Sequence, residues 1–130
     1  MKILRPVDIE NEIRKALDDY TIAYVRPLPD NFVTPCTLIV CAGGSSENTV
    51  DKFIVTLQTR AETDAEALEL MNTTIGILES QAQSQVGALR FVQLNSLASW
   101  GSDPVRPDLK LCTATVIVTA HRDNITIPES

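Results

Sequence analysis

Apolar positions recur with a helical period in two stretches of the chain and with a strand period, or as short unbroken runs, in five others. Ile9, Ile13, Ala16, Leu17 and Tyr20 fall on one helical stripe, Pro6 stands just before it and Asp8 is placed to cap the first free N–H groups. This spacing predicts an amphipathic helix over residues 8 to 20. Thr63 followed by Glu66 has the form of a capping box, and Ala67, Leu68, Met71, Ile75, Leu78 and Ala82 continue at helical spacing, which predicts a second helix from about 64 to 82. Gly76 inside it costs about 1 kcal/mol relative to alanine and marks either a close approach to a strand or tolerated drift. Residues 21 to 26 are rich in β formers and end at Pro27 and Pro29, as a short edge strand does. Residues 36 to 42 are apolar on both faces and predict a central strand covered on each side.

The run Gly43-Gly44-Ser45-Ser46 reads as a flexible turn, and residues 52 to 60 as the returning strand of a hairpin with a long polar tip. Strands follow at about 88 to 97 and 109 to 120, the second alternating Cys112, Ala114, Val116, Val118 and Ala120 with threonines. Ser99 to Asp108 has the composition of a loop, and residues 124 to 130 that of a flexible polar tail. The expected fold is a single α+β domain over residues 1 to 130. Two helices pack on a mixed or antiparallel β-sheet of about four to five strands, in the order α-β-β-β-α-β-β.

Charge narrows the function classes. Seventeen acidic against eleven basic residues give a net charge of −6, and the basic residues are scattered, so stable nucleic-acid binding and an anionic membrane surface are disfavoured. No apolar run approaches the roughly 18 residues needed to span a bilayer, and charge and proline interrupt the first residues before any signal-like region forms. The chain is expected to stay in the compartment where it is made.

The residue types needed for catalysis are sparse. Cys36, Cys41 and Cys112 lie in β-branched apolar runs, with no CxxC spacing, and read as buried, reduced thiols. Cys36 and Cys41 are an odd number of residues apart and leave opposite faces of one strand. His121 is the single histidine, nine residues from the nearest cysteine, so neither a metal cluster nor a nucleophile–base pair is evident. The Gly43-Gly44 segment lacks the spacing and the lysine of a phosphate-binding loop. No enzyme activity, cofactor or metal is expected. One imbalance stands out: Ala61 to Leu89 holds Glu62, Asp64, Glu66, Glu69 and Glu79 and not one Lys or Arg. It reads as a solvated face or as a negative surface, either meeting a basic partner or lining a channel through which a polyanion passes.

Four segments carry a resemblance: Val7–Leu17, Val33–Val40, Phe53–Leu57 leading to Ala65-Glu66-Ala67, and the threonine-rich Thr113–Thr119. In order and spacing the chain resembles the tail terminator, or tail completion, family of long-tailed bacteriophages. The resemblance implies a structural virion protein forming a hexameric ring. Such a ring stops growth of the tail tube and offers a docking surface to the head, so its partners would be the tube protein and the head–tail connector proteins. The protein would be found in the host cytoplasm during assembly and then in the tail or neck of the virion. No site residue carries over from the family. Gly43, Gly44 and Ser45 in the hairpin, and Trp100 and Arg106 in the long loop, are the expected subunit contacts. The alternatives are a small ligand-binding or enzymatic domain with a pocket behind the sheet near Trp100 and Arg106, and another phage neck or head–tail adaptor protein.

Overall fold

The computed structural model describes residues 1–129, apart from the side chain of Leu97. Strand β1 (Lys2–Arg5) comes first, and Pro6 ends it. Helix α1 (Ile9–Leu17) is capped by Asp8, whose carboxylate accepts from the Asn11 N–H, and it buries Ile9, Ile13 and Leu17. It is shorter than the expected 8 to 20. The Tyr20 and Thr21 N–H groups both close on the Leu17 carbonyl, and Tyr20 is exposed rather than part of the apolar stripe.

The remaining elements are β2 (Ala23–Val25), β3 (Cys36–Glu47), β4 (Val50–Ala61), α2 (Asp64–Gln83), β5 (Leu89–Ser102), β6 (Lys110–Ala120) and β7 (Asp123–Thr126). The main sheet has the order β2-β3-β4-β6-β5; only the β2–β3 pair is parallel. The α+β class and the mixed sheet with two helices are as expected. The strands number seven rather than four to five, because β1 and β7 pair antiparallel in a small sheet of their own. The chain order is therefore β-α-β-β-β-α-β-β-β. The expected tail from 124 is corrected as well: Asn124 to Thr126 lie opposite Lys2 to Leu4, and the Ile127 N–H donates to the Met1 carbonyl. Ser130 lies outside the described residues.

The β3–β4 hairpin turns later and more tightly than expected. Its two central residues are Asn48 and Thr49, with φ of 52° and 65°, the positive values that a two-residue turn needs to match strand twist. Gly43 and Gly44 belong to β3 itself. Gly43, at φ 129°, sits where the register shifts by one residue after Cys41, and a Cβ on Gly44 would lie 2.2 Å from the Lys52 carbonyl oxygen. These glycines serve a bulge and a close strand approach rather than a turn. The segment Ser99–Ser102, expected in a loop, continues β5, which reaches 14 residues by pairing with β6 across three register shifts.

Both helices lie on one face of the sheet. Ile39, Val55, Leu57, Cys112, Ala114, Val116 and Val118 meet Ile13 and Leu17 of α1 and Met71 and Leu78 of α2 in one core. Two threonines buried in that face are satisfied locally: Thr59 donates to the Ala67 carbonyl at 2.8 Å, and the Thr37 and Thr74 hydroxyls bond to each other. Gly76 points away from the sheet, and a Cβ there would meet nothing within 4 Å, so it marks no close approach within the chain.

The other face is closed only at one end. There Phe32, Cys36 and Leu109 form a second cluster under the loops that precede β3 and β6. Toward the hairpin no helix covers Ile54, Thr115, Ile117 and Thr119, which stay half-buried or exposed, and Phe91 is 58% exposed. The expected two-sided burial of residues 36 to 42 holds for Cys36–Ile39; Val40 and Cys41 are half-buried and Ala42 is exposed.

Candidate functional site

Helix α2 places the acidic group. Thr63 caps it by accepting from the Glu66 N–H, and its hydroxyl also donates to the Glu66 carboxylate. Asp64 and Glu66 in the first turn suit the positive end of the helix dipole. With Ala67, Met71, Thr74, Ile75, Leu78 and Ala82 turned to the core, Glu62, Asp64, Glu66, Glu69 and Glu79 are all exposed. Among the described residues none of the five has an ion-pair partner. They are not one cluster. Glu66 and Glu69 border a depression beside Pro35, whereas Glu79 borders a groove with Arg90 and Phe91, about 15 Å further along the helix at 1.5 Å per residue.

The expected subunit contacts separate in the same way. Gly43, Gly44 and Ser45 lie exposed in the outer half of β3, where β2 no longer pairs with it. Trp100, 51% exposed, sits in β5 opposite Cys112, and so on the helix side of the sheet. Arg106 lies on the other side, its guanidinium 5.3 Å from the centre of the Phe32 ring. The structure does not bring Trp100 and Arg106 together around one pocket.

Three ion pairs joining distant parts of the chain tie the loops to the sheet, and no sequence motif announced them. Asp103 and Arg60 are both buried; Asp103 also accepts from the Val105 and Arg106 N–H groups, which fixes the turn leading to β6. Burial pushes the Asp103 carboxyl up, but the bonds from the Arg106 N–H, Arg60 and the Val105 N–H outweigh it and hold the group below the ordinary carboxylate range. The hydrogen bond from Arg122 does the same for Asp51, against the opposing effect of burial, and Arg122 also donates to Ser46. Burial likewise pushes Glu10 up, and bonds from Arg26 and the Cys41 N–H bring it below its usual value. Each carboxylate is committed to holding a strand end or a loop.

The thiols are free. Burial raises the Cys36 thiol to about 11 and raises Cys112 as well, which keeps both un-ionised. Cys41 differs from expectation in being half-buried, beside a cleft of about 360 Å³ with Pro6, Gly43, Phe53 and Arg122. His121 is exposed. Among the described residues no group of three His, Cys, Asp or Glu side chains is arranged to hold a metal ion, and no helix is long and apolar enough to cross a membrane. No protein-family model matches the chain, and no curated protein matches it in sequence.

Proposed function

We propose that this protein is a structural subunit of the tail-terminator kind, assembling into a hexameric ring that caps a phage tail tube and joins it to the head. The observation that carries the proposal is the uncovered half of the main sheet. A layer bearing Ile54, Ile117 and Phe91 faces outward, back to back with the core residues of β4 and β6 that the two helices bury on the other side. Sheets buried on one face commonly leave the other to solvent, but there they alternate to polar side chains, and exposed Phe91 and Ile54 beside half-buried Ile117 are what a neighbour would cover. The exposed area agrees. The chain presents 7559 Å², about a tenth more than the roughly 6,800 Å² that area scaling gives a monomer of its mass.

In this reading the protein acts through shape. One rim of the ring reproduces contacts of the tube while offering nothing for a further layer, and the other receives a connector protein. The −6 charge keeps DNA from adhering as it passes. Light scattering across a concentration series is the test: a species at six times 14.2 kDa is expected, and it should stop elongation when added to polymerising tube protein. A monomer at every concentration would overturn the proposal. The ligand-binding alternative would then rest on the apolar cleft between Pro6, Cys41 and Phe53.

A further inference from the structure

Among the described residues three stretches of the sheet's backbone edge have no partner strand: the outer side of β2, the part of β3 beyond β2, and the outer side of β5; the last two lie at the same level. At the hairpin end the register runs Ser46–Asp51–Ala120–Leu89 across β3, β4, β6 and β5, with Ser45–Lys52–Thr119–Phe91 as the next row. On one side of these rows β3 is open from Ala42 to Glu47, because β2 reaches only Ile39. On the other side stands the outer edge of β5. That edge is unprotected: from Phe91 to Ser102 it carries no charged residue and no proline, whereas lone edge strands are usually guarded by one or the other.

Resting on the ring reading, we propose that the β5 edge of one copy pairs antiparallel with Ala42–Glu47 of the next copy, so that the sheet runs on from subunit to subunit. Strand sense supports this. Successive neighbours β3, β4, β6 and β5 are all antiparallel, so β5 runs opposite to β3. A second copy set alongside without being turned over therefore meets β5 in antiparallel sense. Continuing the rows places Ser46 of the second copy against Leu89 and Ser45 against Phe91. Size and charge agree with that register. The β3 segment is Ala-Gly-Gly-Ser-Ser, whose small side chains leave room for Phe91 and Leu94. The one charge on each edge is Glu47 on β3 and Arg90 on β5. Neither has an opposite charge within ion-pair distance among the described residues, and the register sets Glu47 opposite Ala88, two residues from Arg90, a diagonal step that two long side chains span. The contact is heterologous, so it leaves a free edge at each end until a ring closes.

The test is a chain carrying Ser45→Cys and Phe91→Cys in a Cys41→Ala background, oxidised and run without reductant. Ser45 and Phe91 are exposed and Cys41 is half-buried against the edge of the core, so thermal melting of each variant checks that it still folds. A ladder of covalent oligomers is expected from the double variant, covalent dimers and nothing longer from a mixture of the two single variants, and no covalent species from either single variant by itself. Gln93→Lys, a charge on the bare edge, should weaken assembly at least tenfold. Glu47→Arg should weaken it too, and adding Arg90→Glu should restore it. Covalent dimers from Phe91→Cys alone would show β5 pairing with itself and overturn the proposal. A ring in light scattering without a ladder would overturn the pairing and leave the ring standing; a ladder without a closed ring would do the reverse.

Discussion

Strand β6 shows the two faces of the sheet within eleven residues. Cys112, Ala114, Val116, Val118 and Ala120 are at most 5% exposed beneath the helices, whereas Thr113, Thr115, Ile117 and Thr119, one step away on the same backbone, remain half-buried. The backbone pairing is the same for both sets, so the difference comes from what covers them. On the helix side, burial defines the fold. On the other, β-branched side chains keep the strand extended while leaving hydroxyls and methyls available to water or to a neighbour.

The sharpest way to break this comparison is a carboxylate on each side. Val116→Asp should prevent folding, because an unpaired charge in that core costs several kcal/mol. Ile117→Asp should leave the melting curve nearly unchanged and act on oligomer size instead. If both variants unfold, the second face is a core in its own right. Next in size is Asp103→Ala, which strands Arg60 and should cost about 3–5 kcal/mol in urea unfolding. It tests whether the closed end of the second face depends on that pair. The pH dependence follows from the lowered Asp103 pKa: the contribution is full above the ordinary aspartate range and is lost as pH falls through the folded value. Wild type should therefore lose stability below about pH 4 more steeply than Asp103→Asn.

Smaller gains are expected where the chain carries local cost. Thr49→Gly should stabilise by about 1 kcal/mol, since a β-branched residue at φ 65° is strained. Gly76→Ala should add about 0.8–1 kcal/mol, the helix-propensity difference, because its Cβ meets nothing. A loss of assembly with intact folding at Gly76→Ala would move a subunit contact onto the helix side. Smallest in stability, at tenths of a kcal/mol, are reversals of exposed charge. Glu69→Lys with Glu79→Lys on the helix face, set against Thr115→Lys on the other, tells which face lines a channel: only the variant whose new lysines face the lumen should make the ring retain DNA at low salt.

Both helices and the longest strands were legible because their signals are local: a cap, a period, an alternation. Thr63 with Glu66 located the start of α2 to the residue. The features missed depend on distant partners. Lys2–Arg5 and Asp123–Thr126 are short and half polar, and become strands only by meeting each other. Ser99–Ser102 has the composition of a turn, yet it extends β5 because β6 offers a template. Gly43-Gly44 was a strong turn signal spent on a bulge, while Asn48-Thr49, a weak one, makes the turn. Four of the five carboxylates lie on α2 and Glu62 just before its cap, but their division into two places along it depends on where Pro35 and β5 come to lie. The pairs Arg60–Asp103 and Asp51–Arg122 join residues 43 and 71 positions apart and had no signature.

The β1–β7 pairing bears on the order of events in folding. It joins segments more than a hundred residues apart through four register positions on each strand, and the entropy of closing so long a loop is offset only after the main sheet has brought the two ends near. This small sheet should therefore be the last part to form and the first to open. Amide protons of Ile3 and Ile125 should exchange while those of β4 and β6 are still protected.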